Sequence, residues 1–200
     1  MTQNQKVFTL KTFIHLAALT PVIWLYLSAF SDGLGADPVQ YVIHFTGKGA
    51  LNLLLITLCV SPLAQKFKQG WLMQVRRLLG LYSFFYAVLH LANFILFDLQ
   101  NNWSLFINEV IKRPYITIGM VALLLLTALS VTSFNALRRK MGRNWQKLHN
   151  WVYVILLLVC VHYIWSVKAN ISQPLIYFML AFVLLALRYK KFSRILPSSR

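Results

Sequence analysis

The stretch Leu148–Lys168, LHNWVYVILLLVCVHYIWSVK, reads as a membrane-spanning helix that carries two histidines. Its apolar run approaches the roughly 20 residues that a helix needs to cross a hydrocarbon core of about 30 Å. An ionisable side chain is costly in such surroundings, so His149 and His162 demand a functional explanation.

The rest of the chain has the same character. Of its 200 residues 58% are hydrophobic and only 12% charged, and its apolar runs outlast those of soluble cores. Six apolar segments fall near residues 8–30, 45–63, 78–97, 115–135, 150–168 and 174–189, with short connections and no linker, repeat or low-complexity tract. The expected fold is all-α, a six-helix transmembrane bundle forming one domain over residues 1–200. The net charge of +16 does not point to nucleic acid, because no long polar segment is present to carry a basic docking face.

The charge reports topology instead. Sixteen of the 20 basic residues fall on one side of the expected bundle. They are Lys6 and Lys11 at the start, Lys66, Lys68, Arg76 and Arg77 between segments two and three, Arg138, Arg139, Lys140, Arg143 and Lys147 between four and five, and Arg188, Lys190, Lys191, Arg194 and Arg200 at the end. The other side holds Lys48, Lys112, Arg113 and Lys168 with all four acids, Asp32, Asp37, Asp98 and Glu109. The positive-inside rule then places both termini in the cytoplasm. Basic residues ahead of the first apolar run also fit a signal peptide, although its length and the five segments behind it favour an uncleaved first helix.

Histidines supply the candidate chemistry. His90 lies 12 residues beyond Leu78, and His162 lies 12 beyond Asn150 on a helix running the same way. Both are therefore about 18 Å from the cytoplasmic end. Two imidazoles at equal depth on different helices are what the axial positions of a bis-histidine haem require; a hydrogen bond to a neighbouring helix is the simpler role for each taken alone. His149 sits 13 residues before His162, about 20 Å away along the axis, and an ideal helix turns it about 220° from its partner. It suits either a second cofactor near the cytoplasmic surface or an interfacial position among basic residues, and the matching depth on the third helix is held by Arg77. Arg76, Arg77 and Lys147 form a cationic rim suited to propionates, a flavin phosphate or a semiquinone, or serve only as inside charge. His15 and His44 are possible contacts for a quinone headgroup or a partner, or structural histidines. Asn52 and Asn93 read as interhelical hydrogen-bonders.

Other chemistries lack their residues. Cys59 and Cys160 fall inside apolar segments and read as buried thiols, with no CxxC pattern. There is no G-x-G-x-x-G, no P-loop and no cysteine cluster, so NAD(P)H and iron–sulfur centres are not held by this chain. An electron carrier built this way exchanges electrons through partners or a lipid-soluble carrier.

Five ordered stretches resemble the MsrQ (YedZ) family of the ferric-reductase-like transmembrane superfamily. They are GLGADPVQYVIHFTGKGAL from Gly33, RRLLGLYSFFYAVLHL from Arg76 (preceded by Val75 where the family pattern has Thr), RPYITIGM from Arg113, WQKLHNWVYVILLLVCVHYIWSVK from Trp145 and PLIYFMLAFVLLALRYKK from Pro174. The resemblance implies a haem b subunit of the bacterial inner membrane, multi-pass, partner to the periplasmic molybdenum enzyme MsrP. Electrons would come from the quinol pool, or from a cytoplasmic flavin donor, for reduction of methionine sulfoxide in periplasmic proteins; FMN is also associated with the family. Its haem-ligand histidines fall on His90 and His162, with His149 as a further candidate. Relatives with two stacked haems use two histidines on each of two helices, whereas this chain has two on the fifth segment and one on the third. It is expected to have no substrate-reducing site of its own. Rival readings are a proton or ion transporter using the histidines as a relay, and a non-redox membrane anchor for a periplasmic partner.

Overall fold

The computed structural model describes residues 2–167 and 170–188. Lys168, Lys190, Lys191, Arg194 and Arg200, and the end of the sixth expected segment at 189, lie outside the described residues.

Helix α1 (Gln3–Phe30) begins with a capping box in which Thr2 and Gln5 satisfy one another's backbone N–H groups. Helix α2 (Pro38–Lys66) starts seven residues before the hydropathy boundary at 45, because Asp37 caps it through Gln40 N at 2.9 Å and Pro38 is preset for the first turn. Lys48, counted with the outer-side charges although it falls within the 45–63 segment, lies ten residues beyond Pro38 in α2, and His44 sits beyond the first turn of that helix. After a 3-10 segment, Gly70–Val75, helix α3 runs Arg76–Asn93 and passes into a π-helical segment, Phe94–Asp98.

The connection expected across residues 98–114 is itself largely helical: α4 (Trp103–Lys112) is capped by Asn102 and pinned by the Glu109–Arg113 ion pair at 2.6 Å. Helix α5 (Pro114–Val131) starts on a proline and ends four residues before the expected 135. Short helices α6 (Asn135–Met141) and α7 (Arg143–His149) precede α8 (Val152–Ser166) and α9 (Ser172–Ala186).

Among the described residues, five helical stretches are long and apolar enough to cross a membrane: Gln3–Phe30, Pro38–Lys66, Gly70–Asp98, Pro114–Val131 and Arg143–Ser166. The protein is a multi-pass membrane protein. The sixth expected span corresponds to α9, whose 15 residues rise only about 22 Å, short of the hydrocarbon thickness.

Helices α2 and α3 pack antiparallel, as do α5 and α8, and the two pairs meet through α3 with α5 and α2 with α8. Leu51, Leu54, Leu55 and Leu58 of α2 interlock with Leu126 and Leu129 of α5 and Ile155 and Leu156 of α8. α1 closes over α2 and α3 through Ile14, Ala18 and Val22. Large apolar side chains such as Phe8, Trp24, Phe30 and Phe182 face outward, as lipid-facing helices require. Most interior polar groups are internally paired, Arg188 Nε being an exception among the described residues. Buried Asn93 accepts from Tyr26 Oη at 2.8 Å and donates to Thr46 Oγ1 at 3.4 Å, and Ser83 bonds Ala50 O. Asn52 differs from the expected interhelical bond, since it faces outward from α2. Buried Arg188 donates to Tyr153 Oη at 2.7 Å and to Leu58 O, tying the end of α9 to α8 and α2. Both cysteines are free thiols, Cys160 buried and Cys59 partly so.

Candidate functional site: a paired-histidine centre

His90 lies in the last turn of α3 and His162 in the last turns of α8. Their rings meet with centroids 6.1 Å apart and planes at 83°. His90 Nδ1 donates to Ile43 O at 2.9 Å and His162 Nδ1 to Tyr115 O at 2.7 Å. A carbonyl only accepts, so each Nδ1 carries the ring proton and each Nε2 keeps its lone pair.

The acceptors are available for a simple reason. Each belongs to a helical residue whose carbonyl faces the amide of the residue four positions on, and a carbonyl has a second lone pair to offer. That later residue is glycine in both cases. A Cβ on Gly47 would come within 3.0 Å of His90 Nδ1, and one on Gly119 within 2.8 Å of His162 Nδ1. The missing side chains let each imidazole lie against the neighbouring helix and reach its backbone. Tyr115 also sets its ring 6.1 Å from that of His162, and its hydroxyl accepts from Arg113 at 3.2 Å. This bond, with Glu109 nearby, raises the Arg113 guanidinium above its ordinary pKa.

These contacts form a repeat that the sequence reading does not contain. Ile43, Gly47 and His90 recur as Tyr115, Gly119 and His162 at a constant displacement of 72 positions, so that α2 with α3 and α5 with α8 use one device twice. Surrounding residues differ, Thr46 against Ile118 for example, which hides the repeat in a linear reading. The same displacement carries Arg77 onto His149.

The other expected site residues lie apart from this pair. The helix breaks at Asn150–Trp151, between α7 and α8, so the ideal 220° rotation expected between His149 and His162 does not apply. His149 stacks on Trp145 with centroids 3.9 Å apart, and its Nε2 lies 3.2 Å from Thr132 Oγ1. The Thr132 hydroxyl hydrogen is given to Ala128 O at 2.7 Å, so His149 Nε2–H is the donor, a tautomer opposite to that of the pair. Arg76 and Arg138 are both near enough to repel a charge on His149. Arg138, read in the sequence only as inside charge, lies 4.9 Å over the Trp145 ring. Arg77 turns to Asn135 Oδ1 at 3.3 Å and to the Phe134 ring, while Lys147 is exposed.

His15 Nδ1 is 2.5 Å from Tyr82 Oη, at the α1–α3 contact, and His44 is exposed on α2. Neither joins the pair. Among the described residues, no three His, Cys, Asp or Glu side chains gather in a metal-binding group.

Two comparisons bear on this arrangement. The model of the family described as ferric reductase like transmembrane component matches residues 41–160, which takes in Ile43, Gly47 and His90 and, of the second half, Tyr115 and Gly119, and ends two residues before His162. The protein-methionine-sulfoxide reductase heme-binding subunit MsrQ of Klebsiella pneumoniae (strain 342) is 50% identical over 184 residues, 92% of either chain. The paired-histidine hairpins, the membrane-spanning helices and this near full-length similarity together place the chain in the MsrQ family of ferric reductase like transmembrane components.

Proposed function

We propose that the chain is a haem b electron-transfer subunit of a protein-methionine-sulfoxide reductase system. In this reading it forms one six-helix domain with both termini cytoplasmic. It passes electrons from the quinol pool, or from a cytoplasmic flavin donor, to a periplasmic molybdenum reductase of the MsrP type. It belongs to the bacterial inner membrane and leaves the reduction of methionine sulfoxide to its partner.

The observation that carries the proposal is the shared posture of His90 and His162. Both hand their Nδ1 proton to a carbonyl and leave Nε2 unprotonated; metal-ligating histidines are oriented by bonds of this kind. A metal between two imidazoles, with bonds of about 2 Å and about 1 Å from each nitrogen to its ring centre, separates the centroids by roughly 6 Å. The observed 6.1 Å is the separation such a pair would have with its two Nε2 atoms facing one another. Tetrahedral zinc, which takes three or four protein ligands, is poorly served by two.

His90 and His162 would hold a haem iron, and the haem would supply a one-electron carrier. The chain's own part is to fix both tautomers, hold both rings against glycine and keep the surroundings apolar. Arg76, Arg77 and Lys147 are the proposed contacts for propionate or FMN phosphate oxygens. His149 is the remaining candidate ligand, and His15 and His44 are candidate quinone or partner contacts.

The test is the dithionite-reduced minus oxidised spectrum of the purified protein, with haem measured per chain. A b-type spectrum with about one haem, lost in His90→Ala and in His162→Ala, is expected for the pair acting alone. Loss in both variants with a wild-type content nearer two would bring His149 in as a ligand. Wild-type haem content in both variants would overturn the ligand assignment, and a colourless protein made with ample haem would favour the histidine relay or the anchor.

A further inference from the structure

A second feature lies across α2 from the histidine pair. Ile43 and Gly47 face His90, while Tyr41, Phe45, Lys48, Asn52 and Ile56 recur at helical spacing on roughly the opposite side. This second stripe, with Ala17 and Pro21 of α1, Tyr86 of α3 and Tyr177 of α9, lines a cavity of about 520 Å³. The cavity reaches the surface of the bundle at the exposed side chains of Tyr41, Asn52 and Ile56.

Its polar groups are unusual for a membrane helix. Lys48 follows Pro38 by ten residues, about 15 Å along the axis. Its ammonium has no hydrogen bond or ion pair among the described residues, where the one ion pair is Glu109–Arg113. Asn52, one turn further in, likewise has no hydrogen-bond partner among them. Pro21 has no N–H to give the Ala17 carbonyl a turn earlier, which leaves an acceptor on the α1 wall. Unpaired donors at this depth are expensive unless a ligand meets them.

We propose that this cleft binds the headgroup of a lipid-soluble quinone or quinol. A ring bearing carbonyl or hydroxyl oxygens matches each feature. Lys48 and the Asn52 amide donate to its oxygens, the Ala17 carbonyl accepts from a hydroxyl, and Tyr41, Phe45 and Tyr177 provide aromatic walls. The volume lies within the range of small-molecule pockets. A phospholipid phosphate carries the same acceptor oxygens but has no flat ring to lie against Tyr41, Phe45 and Tyr177. The cleft shares α2 with the pair, so its occupant lies one helix away from His90. The assignment rests on the proposed reading of the quinol pool as electron donor and gives that donor a place.

The test combines binding with electron delivery. The haem-loaded full chain in phosphatidylglycerol-containing vesicles is photolabelled with an azidoquinone, and the labelled peptides are sequenced. Label within residues 17–21 or 41–56, displaced by unlabelled quinone and reduced at least about tenfold in Lys48→Gln or Asn52→Leu, is the expected result. Haem content and dithionite reduction check that the variants are folded.

Label elsewhere, label unaffected in both variants, or label displaced by excess phosphatidylglycerol and not by quinone would overturn the site. Reduction of the haem by a soluble quinol is measured in parallel. Label in the cleft without quinol-driven reduction would uphold the site and defeat the quinol pool as donor. Quinol-driven reduction without label there would do the reverse.

Discussion

At the scale of the residue, the decisive positions are two glycines that carry no chemistry. Gly47 and Gly119 allow the His90 and His162 rings to reach Ile43 O and Tyr115 O. Gly119→Ala places a Cβ 2.8 Å from His162 Nδ1, against 3.0 Å for Gly47→Ala beside His90, so the former should do more damage. Each overpacks a tight contact, at a cost of about 1–3 kcal/mol. Each also releases a ring from the bond that fixes its tautomer, which typically weakens metal affinity by about 10–100-fold. Haem per chain and thermal unfolding of the two purified variants are the checks, and full haem retention with unchanged unfolding in Gly119→Ala would defeat this account. The histidines themselves were legible at matched depth, since counting residues along two parallel helices gives height. The glycines were not, because a missing side chain acquires meaning only from the ring that occupies its place.

At the scale of the element, α4 shows how a connection becomes a structure. Asn102 caps it and Glu109–Arg113 closes it, and its exposed side includes Trp103, Ile107 and Ile111. A short helix with that apolar face next to the ends of two membrane spans is expected to lie in the bilayer interface. Brominated-lipid quenching of tryptophan emission should therefore fall when Trp103→Phe removes one of the six tryptophans. Unchanged quenching would place α4 away from lipid. Hydropathy averaging smooths over a ten-residue amphipathic helix, which is why the sequence reading leaves residues 98–114 as a connection. Averaging likewise sets the start of α2 at 45 rather than Pro38, because the Asp37 cap is a local hydrogen bond with little weight in an apolar window.

At the scale of the whole molecule, charge and topology meet. The four acids and most of the bases sit at opposite ends of the expected bundle, and charge asymmetry of this size governs insertion. A reporter that fluoresces only in the cytoplasm, fused at the carboxyl end, should be bright, and a periplasm-active reporter fused there should be silent. The opposite pattern would reverse the proposed orientation and put the histidine pair nearer the cytoplasmic face.

Sequence by itself determined that this chain lives in a membrane, roughly where its spans fall, and that His90 and His162 share a depth. Those are properties of hydropathy, length and rise per residue, which are additive along a chain. Only the tertiary structure decided how the helices are rotated about their axes. That rotation turned Ile43 and Tyr115 carbonyls towards the imidazoles, repeated one hairpin device 72 positions later and left His149 against Trp145 and Thr132. It also gathered Lys48, Asn52 and Pro21 around a single cleft. Rotation is fixed by which side chains interlock between helices distant in sequence, and a count along one strand of residues does not contain it.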